Sequence, residues 1–255
     1  MSSPKGIDKP LTRPRAQLAG VRAVRAALAE GAPVRVLLVR ADDCDEPEIA
    51  ALCAEATAKG VQLWRGSPGD LRRMGRGPDA EHVVALLGPP PRATLDELLQ
   101  RGGICWLLHR AAYPSNVGFA VRTAEVSGAD GIIVDAEFNH EQRARVDHVS
   151  MGASRLLPVV YASSDDTLAL AARSSVRIVA IEDVGSVEPW EVDLRGPVVC
   201  VIGNEQTGIA APLLAHCDSS VRIPMAGFVP SYNVQAAMAA IAVERLRQLS
   251  VTRKP

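Results

Sequence analysis

The chain has 255 residues, 47% hydrophobic and 22% charged, with a formal net charge of −1. That balance excludes global disorder, and the near-neutral charge argues against a protein that coats nucleic acid non-specifically. The length admits one large domain or two small ones.

No run reaches the roughly 18 apolar residues of a membrane helix, so no membrane association is expected. Residues 1–18 lack the apolar stretch of a secretory signal. The five cysteines, Cys44, Cys53, Cys105, Cys200 and Cys217, are odd in number and form no CxxC pair. Neither a disulfide framework nor a zinc cage is expected, and a reducing cytoplasm fits. The histidines, His82, His109, His140, His148 and His216, show no metal-ligand spacing, so no metal is expected. Only four of the 28 basic residues are lysine. This arginine excess reads first as compositional bias and second as a supply of bidentate phosphate contacts.

Residues 1–16 contain Pro4, Pro10 and Pro14 with Lys5, Lys9, Arg13 and Arg15, a pattern expected of a flexible basic arm. Helical periodicity follows over 17–30, with Leu18, Val21, Val24 and Leu28 on one side. A strand at 34–39, a helix at 46–59 closed by Gly60, and strands at 61–65 and 83–87 complete a small α/β domain over 17–92. Gly88 and the three prolines after it break regular structure. Residues 93–103 are expected to be a linker with a short helix at 94–100. A second run then begins. Strands are predicted at 104–108, 131–134, 157–161, 177–181, 197–202 and 220–223. Helices are predicted at 117–126, 167–174, 210–215 and 232–249. The expectation is a parallel α/β domain over 104–255, binding its ligand at the carboxyl ends of the strands.

The common nucleotide and hydrolase loops are missing: there is no GxxxxGK[ST], no GxGxxG after a strand, no HExxH and no GxSxG. Three other segments combine glycine with polar residues at strand ends. The first holds Pro114, Asn116, Gly118, Arg122, Thr123, Ala124 and Gly128. Asn116 is placed to cap the following helix, Gly118 permits close approach of a partner, and Arg122 lies one turn beyond Gly118. The second follows an apolar strand with Gly203, Asn204, Glu205 and Gly208, where glycine lets backbone amides meet a ligand. The third runs through Ile223, Pro224, Met225 and Gly227 to Ser231, Tyr232, Asn233 and Val234. Ser231 is expected to cap an alanine-rich helix whose small residues allow close packing, including across a dimer interface.

In order and spacing, the three segments together resemble the signature motifs of the SpoU/TrmH branch of the SPOUT methyltransferases, which methylate RNA ribose 2′-hydroxyls. Tyr113 stands where the first motif usually has aspartate, and Tyr232 where the third usually has leucine. Ser150, Met151, Gly152 and Ala153 look like the family's Ser-x-Gly-Ala. The resemblance covers about residues 104–250. It implies a parallel α/β fold with a C-terminal trefoil knot, S-adenosyl-L-methionine (AdoMet) bound in that knot, a homodimer, and rRNA or tRNA as partner. The region starting at residues 18–28 is similar, more loosely, to the small ribosomal-protein-like substrate-binding domain of many members.

The resemblance further implies Asn116, Arg122, Glu205, Ser231 and Asn233 as catalytic residues. It implies Gly203, Asn204, Ile223, Met225 and Tyr232 as the cofactor pocket. Arg122 is proposed in the family to help deprotonate the hydroxyl, but a guanidinium stays protonated to about pH 12 or above. The preferred role is a phosphate clamp that stabilises the developing alkoxide. Glu205 is then expected to orient its partners, and Asn116 and Ser231 to position the ribose. Two rival readings are a binding module of this fold without transfer activity and a different nucleotide-using α/β enzyme such as a dehydrogenase. The missing GxGxxG loop argues against the second.

Overall fold

The computed structural model describes residues 16–251; apart from Ala16, the expected basic arm lies outside them. The chain divides into two compact units at Pro91 and Arg92.

The first unit contains β1 (Gln17–Ala19), α1 (Val21–Ala29), β2 (Val34–Arg40), α2 (Pro47–Ala58), β3 (Gln62–Gly66), α3 (Pro68–Met74) and β4 (Val83–Leu87). Its sheet has the order β1-β4-β2-β3. Only β2 and β3 run parallel. The helix expected from residue 17 therefore starts later. Residues 17–19 pair antiparallel with β4, and Gly20, at φ 83°, turns the chain into α1. Leu18 serves the strand rather than the helical stripe, a choice that periodicity over so few residues does not resolve. Val24, Leu28, Leu37, Val39, Ile49 and Leu52 form the core of this unit.

The second unit contains α4 (Leu95–Leu99), β5 (Ile104–Leu108), α5 (Pro114–Val126), β6 (Gly131–Val134), α6 (His140–Val149) and β7 (Val159–Tyr161). It continues with α7 (Ser164–Arg173), β8 (Arg177–Ile181), β9 (Val198–Ile202), α8 (Ala211–Leu214), β10 (Ser219–Val221) and α9 (Val234–Val251). Residues 93–103 are no linker. Thr94 caps α4 with a capping box to Glu97, and Leu98 and Leu99 bury in the core.

All six strands of this unit run parallel, in the order β10-β8-β9-β5-β6-β7. Their side chains alternate between two cores. Ile104, Trp106, Leu108, Cys200 and Ile202 face one core, shared with α5, α6 and α9. Cys105, Leu107, Val199 and Val201 face the other, shared with α4, α7 and α8. Burial pushes the Cys105 and Cys200 thiols up to about 12, so both stay protonated at neutral pH. From β5 the chain builds outward through β6 and β7, then returns to lay β8, β9 and β10 on the other side. Strand order reverses between β5 and β9, where parallel sheets open a crevice at their carboxyl ends.

Candidate cofactor and acceptor site

A cavity of about 730 Å³ opens at the carboxyl ends of β8 and β9, where Ile181 and Ile202 lie in its wall. That volume lies within the roughly 300–1,000 Å³ of small-ligand sites. Nine of the ten residues singled out in the sequence line it; Arg122 does not.

The loop after β9 folds tightly upon itself. A Cβ added at Gly203 would lie 2.4 Å from the carbonyl carbon of Gly208 and 2.5 Å from the nitrogen of Ile209. Only glycine fits that approach. Asn204 and Gly208 exchange backbone hydrogen bonds at 3.1 and 2.9 Å. The Asn204 Oδ1 accepts from the Gln206 and Thr207 amides at 2.8 and 3.1 Å, and its Nδ2 donates to the Arg110 carbonyl at 2.6 Å. Asn204 lines the cavity but spends its side chain on shaping the loop.

That loop is joined to the start of α5. Glu205 Oε1 accepts from Asn116 Nδ2 at 2.8 Å, and Oε2 from the Ala112 amide at 3.3 Å. Gln206 Nε2 donates to the Tyr113 hydroxyl at 2.8 Å. Asn116 therefore does not cap the helix. Tyr113 occupies the N-cap position, Pro114 opens α5, and Asn116 sits inside the first turn with its amide held by Glu205. With Nδ2 committed, Asn116 Oδ1 is left to accept from a ligand hydroxyl.

The third segment also departs from expectation at its cap. α9 starts at Val234, and Asn233 takes the capping role: its Oδ1 accepts from the Gln235 amide at 3.1 Å, and its carbonyl from Ala236 and Ala237 at 2.9 and 3.0 Å. Ser231 is exposed, lines the cavity, and has no hydrogen-bond partner among the described residues. The Tyr232 hydroxyl donates to the Pro224 carbonyl at 3.2 Å and closes the loop between them. Ile223 and Met225 complete this wall.

Arg122 is exposed and has no hydrogen-bond or ion-pair partner among the described residues. It lies six residues beyond Asn116, about 9 Å along the helix axis. Gly118, one turn before it, faces α6: a Cβ there would lie 2.7 Å from Val149 Cβ and 2.9 Å from the Val146 carbonyl oxygen.

Lining residues that the sequence did not single out include Glu182, Asp183 and Val184, directly after β8. An acidic pair ending an apolar strand was the signal available. The Glu182 carboxylate accepts from the Ile209 amide, which buttresses the glycine loop from behind. Glu182, Asp183 and Glu205 are the charged lining residues, and among the described residues no lysine, arginine or histidine lines the cavity. Such a wall favours a cationic ligand.

The SpoU rRNA Methylase family pattern matches residues 104–243. The chain is 32% identical over 246 residues to the 23S rRNA (guanosine-2′-O-)-methyltransferase RlmB of Pseudomonas syringae pv. tomato, covering 92% of this chain and 97% of that protein. It is 29% identical to a 23S rRNA uridine 2′-O-methyltransferase of Streptomyces viridochromogenes, covering 90% of this chain and 81% of that one. Among solved structures it is similar to an AdoMet-bound rRNA methyltransferase from Sinorhizobium meliloti, with TM-score 0.59, 26% identity and coverage of 91% and 87%. The SpoU methyltransferase AviRb from Streptomyces viridochromogenes, in complex with AdoMet, matches with TM-score 0.56, 27% identity and coverage of 91% and 89%. The motifs, the parallel sheet that presents them, and these likenesses converge: the chain belongs to the SpoU rRNA methylase family.

Proposed function

We propose that this protein is an AdoMet-dependent RNA 2′-O-methyltransferase acting on ribosomal RNA, with 23S rRNA as the substrate its relatives favour. The observation that carries this reading is the Asn116–Glu205 pair set beside a cavity whose charged lining is entirely anionic. AdoMet brings a sulfonium and an ammonium against one carboxylate, so its net positive charge suits Glu182, Asp183 and Glu205. Gly203, Ile223 and Tyr232 would hold it largely through backbone groups, with Asn204 and Met225 beside them.

When bound, AdoMet would supply an electrophilic methyl group for a new carbon–oxygen bond to the ribose, its carbon–sulfur bond breaking to a neutral thioether and the hydroxyl proton being lost to solvent. The chain's own task is alignment and charge control. Glu205 fixes Asn116, whose Oδ1 takes the hydrogen bond of the 2′-hydroxyl and orients its lone pair. The unpartnered Ser231 hydroxyl and Asn233 hold the ribose from the opposite wall.

The guanidinium that should steady the phosphate and the developing alkoxide is missing from the single-chain cavity. We infer that Arg122 comes from a second copy in a homodimer, which the exposed Phe119, Arg122 and Val126 on one face of α5 support. We also infer a trefoil knot in the second unit. In support, Ser186 and Val187 bond to Ser220, Arg222 bonds to Val187, and Leu194 then reaches Gln248 of α9. The first unit and the basic arm would grip RNA outside the site. Among the described residues no helix is long and apolar enough to cross a membrane, and the cytoplasm is where ribosomal RNA would be met.

The test is AdoMet titration followed by transfer of labelled methyl to unmodified 23S, 16S and tRNA transcripts. Label in 23S rRNA is expected. Label confined to tRNA would overturn the substrate, and AdoMet binding without transfer to any RNA would leave a binding module.

A further inference from the structure

The segment from Pro224 to Tyr232 is a closed loop, pinned at its base by the Tyr232 hydroxyl on the Pro224 carbonyl at 3.2 Å. At its tip Phe228 is 108% exposed and Val229 75%. Phe228 is not part of the cavity wall, yet Met225 before it and Pro230 after it both are. A Cβ on the neighbouring Gly227 would meet nothing within 4 Å, so the tip stands in open solvent. Residues 223–234 carry no charge, and exposed Arg222 stands at the foot of the loop. A whole aromatic ring left in water is an unfavourable placement that burial on binding would reverse.

We propose that Phe228 is a substrate-positioning residue: its ring stacks on the base of the acceptor nucleotide as the ribose enters the cavity. The inference rests on the reading of the cavity as the methyl-donor site. An acceptor 2′-hydroxyl must lie against the bound methyl group, and its base hangs from the adjacent ribose carbon. The base is therefore held within a few ångströms of the rim, about two residues' reach from Pro230. The ring is not among the cavity-lining side chains and is fully exposed, so it is open to what arrives from outside rather than to what sits within. Stacking needs an unpaired base, so the substrate presents its acceptor in a single-stranded loop or bulge, with Arg222 beside it for a backbone phosphate.

The experiment compares wild type with Phe228→Ala and Phe228→Trp as full-length chains. It measures AdoMet Kd, oligomeric state by sedimentation, and KM and kcat of methyl transfer to unmodified 23S rRNA transcript. Phe228→Ala is expected to raise the RNA KM roughly tenfold or more while leaving AdoMet Kd and oligomeric state unchanged; Phe228→Trp is expected to restore KM. Three results would overturn the proposal: an unchanged RNA KM, a weakened AdoMet Kd (a lid over the cofactor), or a lost dimer (a contact between copies). Failure of wild type itself to bind AdoMet would instead overturn the reading of the cavity.

Discussion

Two tyrosines stand where the family's motifs usually carry other residues, and each secures a loop through its hydroxyl. Tyr113 accepts from Gln206 at 2.8 Å and ties the glycine loop to α5. A net hydrogen bond is worth about 1 kcal/mol, so Tyr113→Phe should weaken AdoMet binding roughly fivefold by calorimetry, with kcat held within about twofold. An unchanged Kd would show that the latch does not shape the cavity. The anionic lining makes a second prediction. Asp183 has no partner among the described residues and lines the cavity. Removing one charge near a sulfonium removes on the order of 1 kcal/mol. Asp183→Asn should therefore raise the AdoMet Kd roughly fivefold and leave the Kd of the neutral thioether product within about twofold. Equal weakening of both ligands would contradict a charge role. The motif residues were legible because glycine and polar groups at strand ends have few other uses. The role of Asn116 was not: it has capping chemistry, and its actual partner Glu205 lies 89 residues away, beyond any local spacing rule.

At the scale of elements, α5 and α6 show what was readable and what was not. α6 has Val146 as its only buried residue, so no apolar stripe announces it in the sequence. Its capping box between Asn139 and Gln142 was the signal that could have. Gly118 was read as a close approach, and the approach is to α6. Alanine there gains about 1 kcal/mol of helix propensity but meets the backbone oxygen of Val146, which cannot swing aside; overpacking costs about 1–3 kcal/mol. Gly118→Ala should lower the denaturation midpoint, and a raised midpoint would show the helices free to part. The ends of β5 and β6 join α7 through His109, whose Nδ1 lies 2.7 Å from the Ser164 hydroxyl, which in turn donates to Asp135 at 2.5 Å. Burial holds His109 below its ordinary value, against the opposing pull of Asp135. The folded state thus keeps the imidazole neutral where the unfolded chain binds a proton. This contribution is full above the unfolded value of about 6.5 and is lost as pH falls from there through the lower folded value. Denaturation midpoints between pH 7 and pH 5 should fall more steeply for wild type than for His109→Asn. A shallower fall in wild type would mean that the Asp135 pairing dominates.

For the whole molecule, the alternation of strand and helix made the parallel sheet of the second unit legible. The position of β9 between β5 and β8 was not, because no local pattern encodes which strands become neighbours. The separation of Arg122 from the cavity belongs to the same scale. If Arg122 of one copy serves the cavity of another, chains carrying Arg122→Ala and chains carrying Glu205→Ala should each be inactive alone. After mixing and subunit exchange, half of the dimers are mixed, and each has one intact site. About a quarter of wild-type activity should then return. No recovery, with exchange demonstrated, would show that Arg122 and Glu205 act from the same chain, and an active Arg122→Ala chain on its own would place Arg122 outside the reaction. The most direct test of the central claim is the identity of the methylated atom. RNA labelled from AdoMet would be digested to nucleosides and identified by mass. The account predicts methyl on the ribose of a single nucleoside type from 23S rRNA, lost in Asn116→Ala. Methyl on a base, or a ribose methyl that persists in that variant, would contradict it.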